Sequence, residues 1–395
     1  MHRHPTTTDE AALMGKLHKI STRNFPTATD ILVRLPPNVR RRLCLVSRLW
    51  RAVIDRRTAM DMRPRGKILA VTTEGISYVL DVLSPGTPPR YLPWSLDSGE
   101  TRRYNAMSII GTCNGIVCLC DNWKPGGALT LANPSTGETL DLPPLPPDSD
   151  DAIELLQGRC RGGGWNWHQT YSFAYHPVTR RYNVVHVPSH FDPSVWEPST
   201  VHVFTLGEAS WRDVHVGSNA RCVLGPCRLA DVDGTVYWMS GYTGRVMALN
   251  LEDESVTHTR PLPPATGPGE SWLTKVHGRL GVVVGGGDSV TVWVLEDEGW
   301  SRRYVVEARL WQTEQRLRWE VTMPHFAHGD YVLTHGGSGK SIDGSKMSQA
   351  RGGMVQIRCN EPPESVLCHR YHIHRTFAYV ETNEPLSIYS GATIN

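Results

Sequence analysis

Apolar residues change their spacing once along this chain, close to residue 66. Before that point Val39, Leu43, Val46, Trp50 and Val53 recur at intervals of three and four, which places them on one face of a helix. Pro36-Pro37 must end any helix formed by Ile31–Leu35, because proline lacks the amide donor and disfavours helix in the residue before it. The pattern predicts two short helices meeting at a Pro-Pro corner within residues 21–58. Residues 1–20 hold few large apolar groups and read as a loosely ordered tail. A basic linker over 59–67 follows, and Ile68-Leu69-Ala70-Val71 then opens a long series of short β-like runs. Each run is closed by Gly, Pro, Asn or Asp, and the series continues to about residue 391.

The β region repeats itself. Val201-His202-Val203-Phe204-Thr205-Leu206 followed by Trp211 matches Val290-Thr291-Val292-Trp293-Val294-Leu295 followed by Trp300. Val246-Met247-Ala248-Leu249-Asn250-Leu251 lies between them, so the three starts are 45 and 44 residues apart. A second element keeps the beat: Asp233-Gly234 and His277-Gly278 each stand 13 residues ahead of the next copy. Asn114-Gly115, ahead of Leu129-Thr130-Leu131-Ala132, is a looser version. A period of this size, built from two hairpins, is that of one four-stranded propeller blade. The fold class expected is therefore mainly β with a small α module: an N-terminal helical module, then a β-propeller-like repeat domain of about six blades over 68–391. Trp211 and Trp300 occupy matching places, read as plugs between blades, and should contribute alike to stability. The 145–200 segment exceeds one repeat, and its Gly-rich part with Arg161, Trp165 and Trp167 reads as an inserted loop available for target binding.

Composition narrows the classes. Lys plus Arg number 41 against 39 Asp plus Glu, so no overall field favours nucleic acid or a membrane surface. Gly at 36 and Pro at 28 suit many short strands joined by turns. The nine cysteines show no C-x-x-C pair, which argues against a disulfide framework or zinc cluster. The first residues lack an apolar signal core, and runs such as Gly281-Val282-Val283-Val284 are too short for a bilayer. Cytoplasm or nucleus is the expected compartment.

Local constellations have plain readings. Residues 34–67 hold ten Arg and one Lys against two Asp, yet only Trp50 is available there for base stacking. A solvated face, or one meeting an acidic protein, explains the charge better than nucleic acid. Gly336-Gly337-Ser338-Gly339-Lys340-Ser341 lacks the leading glycine of a phosphate loop, since Thr334 stands at that place, and reads as a loop between strands. Cys368, His372 and His374 share one face of a strand but want further ligands, so no metal or other cofactor is expected.

The segment from Phe25-Pro26 through Leu35-Pro36-Pro37 to Val46-Ser47-Arg48-Leu49-Trp50-Arg51 and Ile54 resembles an F-box, with a shorter stretch between Pro26 and Leu35 than is usual. Cys113-Asn114-Gly115-Ile116-Val117-Cys118-Leu119, Asn133-Pro134-Ser135-Thr136-Gly137 and Ala174-Tyr175-His176-Pro177 follow in the order of plant F-box-associated domains. The glycines after Val284 and the later Trp300 are also similar to a kelch repeat. The resemblance implies a non-catalytic substrate receptor of a Skp–cullin–F-box ubiquitin ligase. Pro26, Leu35, Pro36, Leu43, Val46, Leu49, Trp50 and Ile54 would hold the Skp-type adaptor, and the propeller would hold an unknown target protein. The rival expectations are a kelch-like propeller that acts alone, as a carbohydrate- or protein-binding module or an enzyme, and a basic-armed nucleic-acid binder.

Overall fold

The computed structural model describes residues 67–72, 76–81, 90–92, 107–124, 126–146, 167–187, 200–216, 229–240, 245–263, 271–286, 289–307, 325–328, 331–335, 341–346, 355–357, 364–368 and 373–390. Chain contacts divide the protein into two units, residues 1–64 and 65–395. All described residues belong to the second, so the expected helical module over 21–58 and its adaptor-facing residues lie outside them.

Strands β1 (Lys67–Thr72), β2 (Ser77–Asp81) and β3 (Arg90–Tyr91) form an antiparallel meander. The second sheet is β4 (Met107–Cys113), β5 (Ile116–Asp121), β6 (Ala128–Ala132) and β7 (Thr139–Asp141). The third is β8 (Tyr171–His176), β9 (Arg181–His186), β10 (Thr200–Thr205) and β11 (Arg212–His215). The fourth is β12 (Leu229–Val232), β13 (Thr235–Met239), β14 (Arg245–Asn250) and β15 (Val256–Pro261). The fifth is β16 (Ser271–Val276), β17 (Arg279–Gly286), β18 (Ser289–Glu296) and β19 (Gly299–Glu307). β20 (His325–His328), β21 (Tyr331–His335) and β22 (Ser341–Lys346) begin the sixth. β23 (Val355–Ile357) pairs in parallel with β19, and β24 (Glu364–Cys368) then completes the sixth sheet against β22. Finally β25 (Ile373–Tyr379) pairs with β1, so the first sheet is assembled from both ends of the unit.

The first strands of successive sheets touch in turn: β4 to β8, β8 to β12, β12 to β16, β16 to β20, β20 to β25 and β25 back to β4. Among the described residues six sheets thus surround one axis, with these strands innermost. Side chains on opposite faces of a strand serve different neighbours, as the two-residue period requires. In the third sheet Val184 and Phe204 pack toward the second sheet with Cys118 and Leu131, whereas Val185 and Val203 pack toward the fourth with Trp238 and Leu249. Each such fully buried side chain stabilises the fold by roughly 1.5–3 kcal/mol relative to exposure.

The repeat read from the sequence has a structural counterpart. Val201, Val246 and Val290 all lie in the third strands of consecutive sheets, and Asp233-Gly234 and His277-Gly278 turn the first hairpins. Trp211 and Trp300 both donate the indole N–H to a proline carbonyl of the preceding sheet, Pro143 at 2.9 Å and Pro261 at 2.7 Å. The expectation of equal contribution needs correcting, however. Trp211 is 8% exposed against Tyr171 and Phe204, whereas Trp300 is only partly buried. Two smaller points follow. Lys67, expected in the linker, pairs with Asp81 and Tyr379 as the first strand residue. The phosphate-loop look-alike joins β21 to β22, and its Ser341 opens a strand, not a helix.

Candidate functional site

Antiparallel meanders place successive connections at alternate ends of a sheet. First hairpins such as Asn114-Gly115 and third turns such as Asn133–Glu138 therefore share one rim, called here the hairpin rim. Second-to-third connections, and the crossings from sheet to sheet, share the opposite crossover rim. The chain leaves β7 at the crossover rim, and residues 147–166, which carry the expected target loop, lie outside the described residues.

At that rim the β5–β6 connection, Asp121–Gly127, is fixed from beneath. Asn122 is 7% exposed and donates to Ser108 Oγ at 2.8 Å. Its Oδ1 accepts from the backbone N–H of His168 at 3.1 Å and lies 3.1 Å from that ring's Nδ1. Asp121 Oδ1 accepts from the Trp123 amide at 3.0 Å. The Lys124 amide donates to Asp121 O at 3.3 Å, and the Gly127 amide to Lys124 O at 2.9 Å. Tyr171 donates its hydroxyl to Gly126 O. Gly127 has φ of +76°, and a Cβ there would lie 2.6 Å from Cys120 Sγ and 2.8 Å from Trp167 Cβ. A larger residue has no room. On this rigid base Trp123 stands 65% exposed, beside exposed Lys124.

Behind the loop runs a row across the third sheet. Tyr171, His186, His202 and Asp213 are consecutive cross-strand partners. The His186 and His202 rings stack at 5.6 Å, and His202 Nδ1 lies 2.9 Å from Asp213 Oδ1. This polar row ends at Tyr171, the residue that holds Gly126.

The hairpin rim carries a shallow groove of about 320 Å³ between the fourth and fifth sheets, lined by Val232, Asp233, Tyr237, Arg279, Leu295 and Asp297 among others. Near it, Asp231 on innermost strand β12 has its carboxyl pushed up to about 6 by burial, while Lys275 pulls it down. The thiols of Cys113, Cys118 and Cys120, buried and free, are raised by the same loss of water, which leaves them poor nucleophiles. Among the described residues no group of His, Cys, Asp or Glu is arranged to hold a metal ion.

Of the residues expected at the target site, Arg161 and Trp165 lie outside the described residues. Trp167 is placed, and it is 7% exposed, packed among Cys120, Leu129 and Tyr171. Its ring holds up the Trp123 loop. Trp123 itself escaped the sequence reading, although its signal was present: Asp121-Asn122-Trp123-Lys124-Pro125-Gly126-Gly127 is a tryptophan in a turn-forming segment with no apolar neighbour to pack on.

The family described as F-box associated beta propeller domain matches residues 94–338, more than half of the chain. The chain belongs to that family. Strands β4 to β19 of the second to fifth sheets lie within the matched residues, which also take in β20 and β21 of the sixth, and the first sheet lies in the flanks. An Arabidopsis thaliana protein named F-box protein At2g43440 is 25% identical over 293 residues, 70% of this chain, and the alignment spans 64% of that relative's length. A second, provisionally named F-box protein of Arabidopsis thaliana, At3g52320, is 22% identical over 355 residues, 83% of this chain and 80% of its own. Among solved structures, a chain of a nidogen/laminin complex aligns with a TM-score of 0.43 and 12% identity, covering 80% of this chain and 99% of that one. A likeness so slight carries no argument. No helix among the described residues is long and apolar enough to cross a membrane.

Proposed function

We propose that this protein is the substrate-receptor subunit of a Skp–cullin–F-box ubiquitin ligase. The observation that carries the reading is order along the chain: an F-box-like stretch, Pro26 to Ile54, directly precedes a domain of the F-box-associated propeller family. The relatives named as F-box proteins support it. In this reading residues 21–58 hold a Skp-type adaptor through Pro26, Leu35, Pro36, Leu43, Val46, Leu49, Trp50 and Ile54, whose apolar side chains are anchors of the kind laid into a partner's groove. The six sheets act as blades of one closed propeller, whose rims present loops to a target protein. The chain does no chemistry of its own. It raises the concentration of target lysines near a charged ubiquitin-conjugating enzyme. The adaptor test is co-purification: the wild-type chain retains a Skp-type adaptor, and the pair Leu35→Ala with Pro36→Ala, or Trp50→Ala, loses it. Equal retention by the double variant overturns the reading.

The groove between the fourth and fifth sheets favours a second reading, a propeller that binds a small polar ligand or a protein without ligase linkage. Absence of the adaptor from the purified wild-type complex is the result that selects it.

A further inference from the structure

We propose that the groove between the fourth and fifth sheets binds an α-amino acid with an apolar side chain, its ammonium on Asp233 and its carboxylate on Arg279. The site goes beyond the receptor reading and does not depend on ligase linkage.

The two walls come from different sheets. On the fourth, Val232 pairs with Thr235 across the Asp233-Gly234 turn, so the two side chains share a face. Val232 and Tyr237 pack from that face toward the fifth sheet. On the fifth, Leu280 is the cross-strand partner of Lys275, and Leu280 and Leu295 pack toward the fourth. The floor is therefore aliphatic: Val232 and Leu280 are buried, and Leu295 is partly so. At about 320 Å³ the groove stands near the lower limit for small-molecule sites, roughly 300–1,000 Å³, which suits a compact ligand.

Charge on the walls selects that ligand. Asp233 belongs to the fourth-sheet wall, Arg279 and Asp297 belong to the fifth, and all three are exposed. Their ion pairs are open. Lys275 Nζ lies 3.9 Å from Asp233 Oδ1, and Arg279 Nη1 lies 3.9 Å from Glu296 Oε1. Both distances exceed hydrogen-bond length. Elsewhere on the same rim such pairs close fully, as Arg212 Nε does on Glu254 Oε1 at 2.9 Å and Arg303 Nε on Glu296 Oε1 at 2.9 Å. Asp233 and Arg279 thus keep hydrogen-bonding capacity that their own pairs do not use.

A purely cationic ligand meets Arg279 and Lys275, and a purely anionic one meets Asp233 and Asp297. A neutral ligand displaces water from all of these groups and returns no ionic contact. A dipolar ligand is complementary to both walls. An α-amino acid carries ammonium and carboxyl groups on one carbon, and its side chain is left for the aliphatic floor.

The test is titration calorimetry of the full chain with L-leucine, N-acetyl-L-leucine, L-leucinamide and glycine. L-Leucine should bind. Each of the others lacks one of the three contacts and should bind at least about tenfold more weakly. Asp233→Asn should lower L-leucine to the level of the acetylated probe, and Arg279→Gln to that of the amide, both with unchanged melting temperature. Asparagine tolerates the φ of +47° that Asp233 adopts. The comparison of probes on wild type needs no variant and decides the matter if one misfolds. No heat from L-leucine, equal affinity for all four probes, or full affinity in either variant overturns the proposal. Co-purification of the adaptor reports separately on the ligase reading.

Discussion

At the scale of single residues, Asp231 shows how burial turns a carboxylate into a liability. Burial on the innermost strand raises its pKa from 3.8 to about 6, and Lys275 only partly compensates. The folded protein thus holds this proton more tightly than the unfolded chain does. Between those two values stability falls as pH rises, and above pH 6 the whole cost is present. Asp231→Asn removes the charge and keeps the shape. It should stabilise the domain by about 1–2 kcal/mol at pH 7.5, after allowance for partial solvent access, and by clearly less at pH 4.5. Denaturant melts at the two pH values decide it: a variant no more stable than wild type at pH 7.5 refutes this account.

At the scale of elements, the first hairpins were the most legible feature of the sequence and their partners the least. Asn114-Gly115, Asp233-Gly234 and His277-Gly278 all have positive φ at both residues, the conformation that an x-Gly pair at a tight hairpin requires. The repeat spacing alone placed them. It could not say what each turn touches. A Cβ on Gly234 would meet the His176 ring at 2.2 Å, across the boundary with the third sheet, whereas a Cβ on Gly278 meets nothing within 4 Å. His176 has little freedom to yield, since its Nδ1 is 3.0 Å from the Thr179 amide. Gly278→Ala should therefore cost about 1 kcal/mol, the conformational term alone, and Gly234→Ala about 2–4 kcal/mol. Equal shifts in the thermal midpoint would show that the third and fourth sheets do not meet at this turn. The same limit explains the tryptophans. A repeat marks Trp211 and Trp300 as equivalent, but burial depends on neighbours hundreds of atoms away in sequence terms, and only Trp211 is enclosed. Trp167 illustrates the same limit: its Gly-rich sequence context marks it as a loop residue, and only its packing beside Gly127 and Cys120 shows that it is buried while Trp123 faces out.

At the scale of the whole propeller unit, closure was invisible in the sequence because it depends on pairing between segments some three hundred residues apart. β25 fills the innermost place in the first sheet and reaches across to the second: Thr112 Oγ1 donates to Ala378 O at 2.5 Å, and Arg375 Nη1 to Ile109 O at 3.2 Å. The chain then continues along the hairpin rim as a strap. Asn133 donates to Glu384 O at 2.8 Å, Tyr182 to Glu384 Oε2 at 3.0 Å, and Tyr389 to Glu384 Oε1 at 2.5 Å. Leu386, 1% exposed, enters the core shared by the second and third sheets. Two contributions can be separated by where the chain is cut. Ending at residue 380 keeps the closing strand and removes Leu386 and the bonds to Glu384, which should cost about 3–5 kcal/mol while leaving one cooperative transition. Ending at residue 372 removes the strand itself, so β1 loses its inner partner and the second sheet its neighbour around the axis. An open ring exposes both packed faces and a bare strand edge, and this shorter chain should show no cooperative melt and should aggregate. If the 372 truncation melts as sharply as the 380 one, β25 is an accessory strand and the ring does not depend on closure by the two ends of the unit.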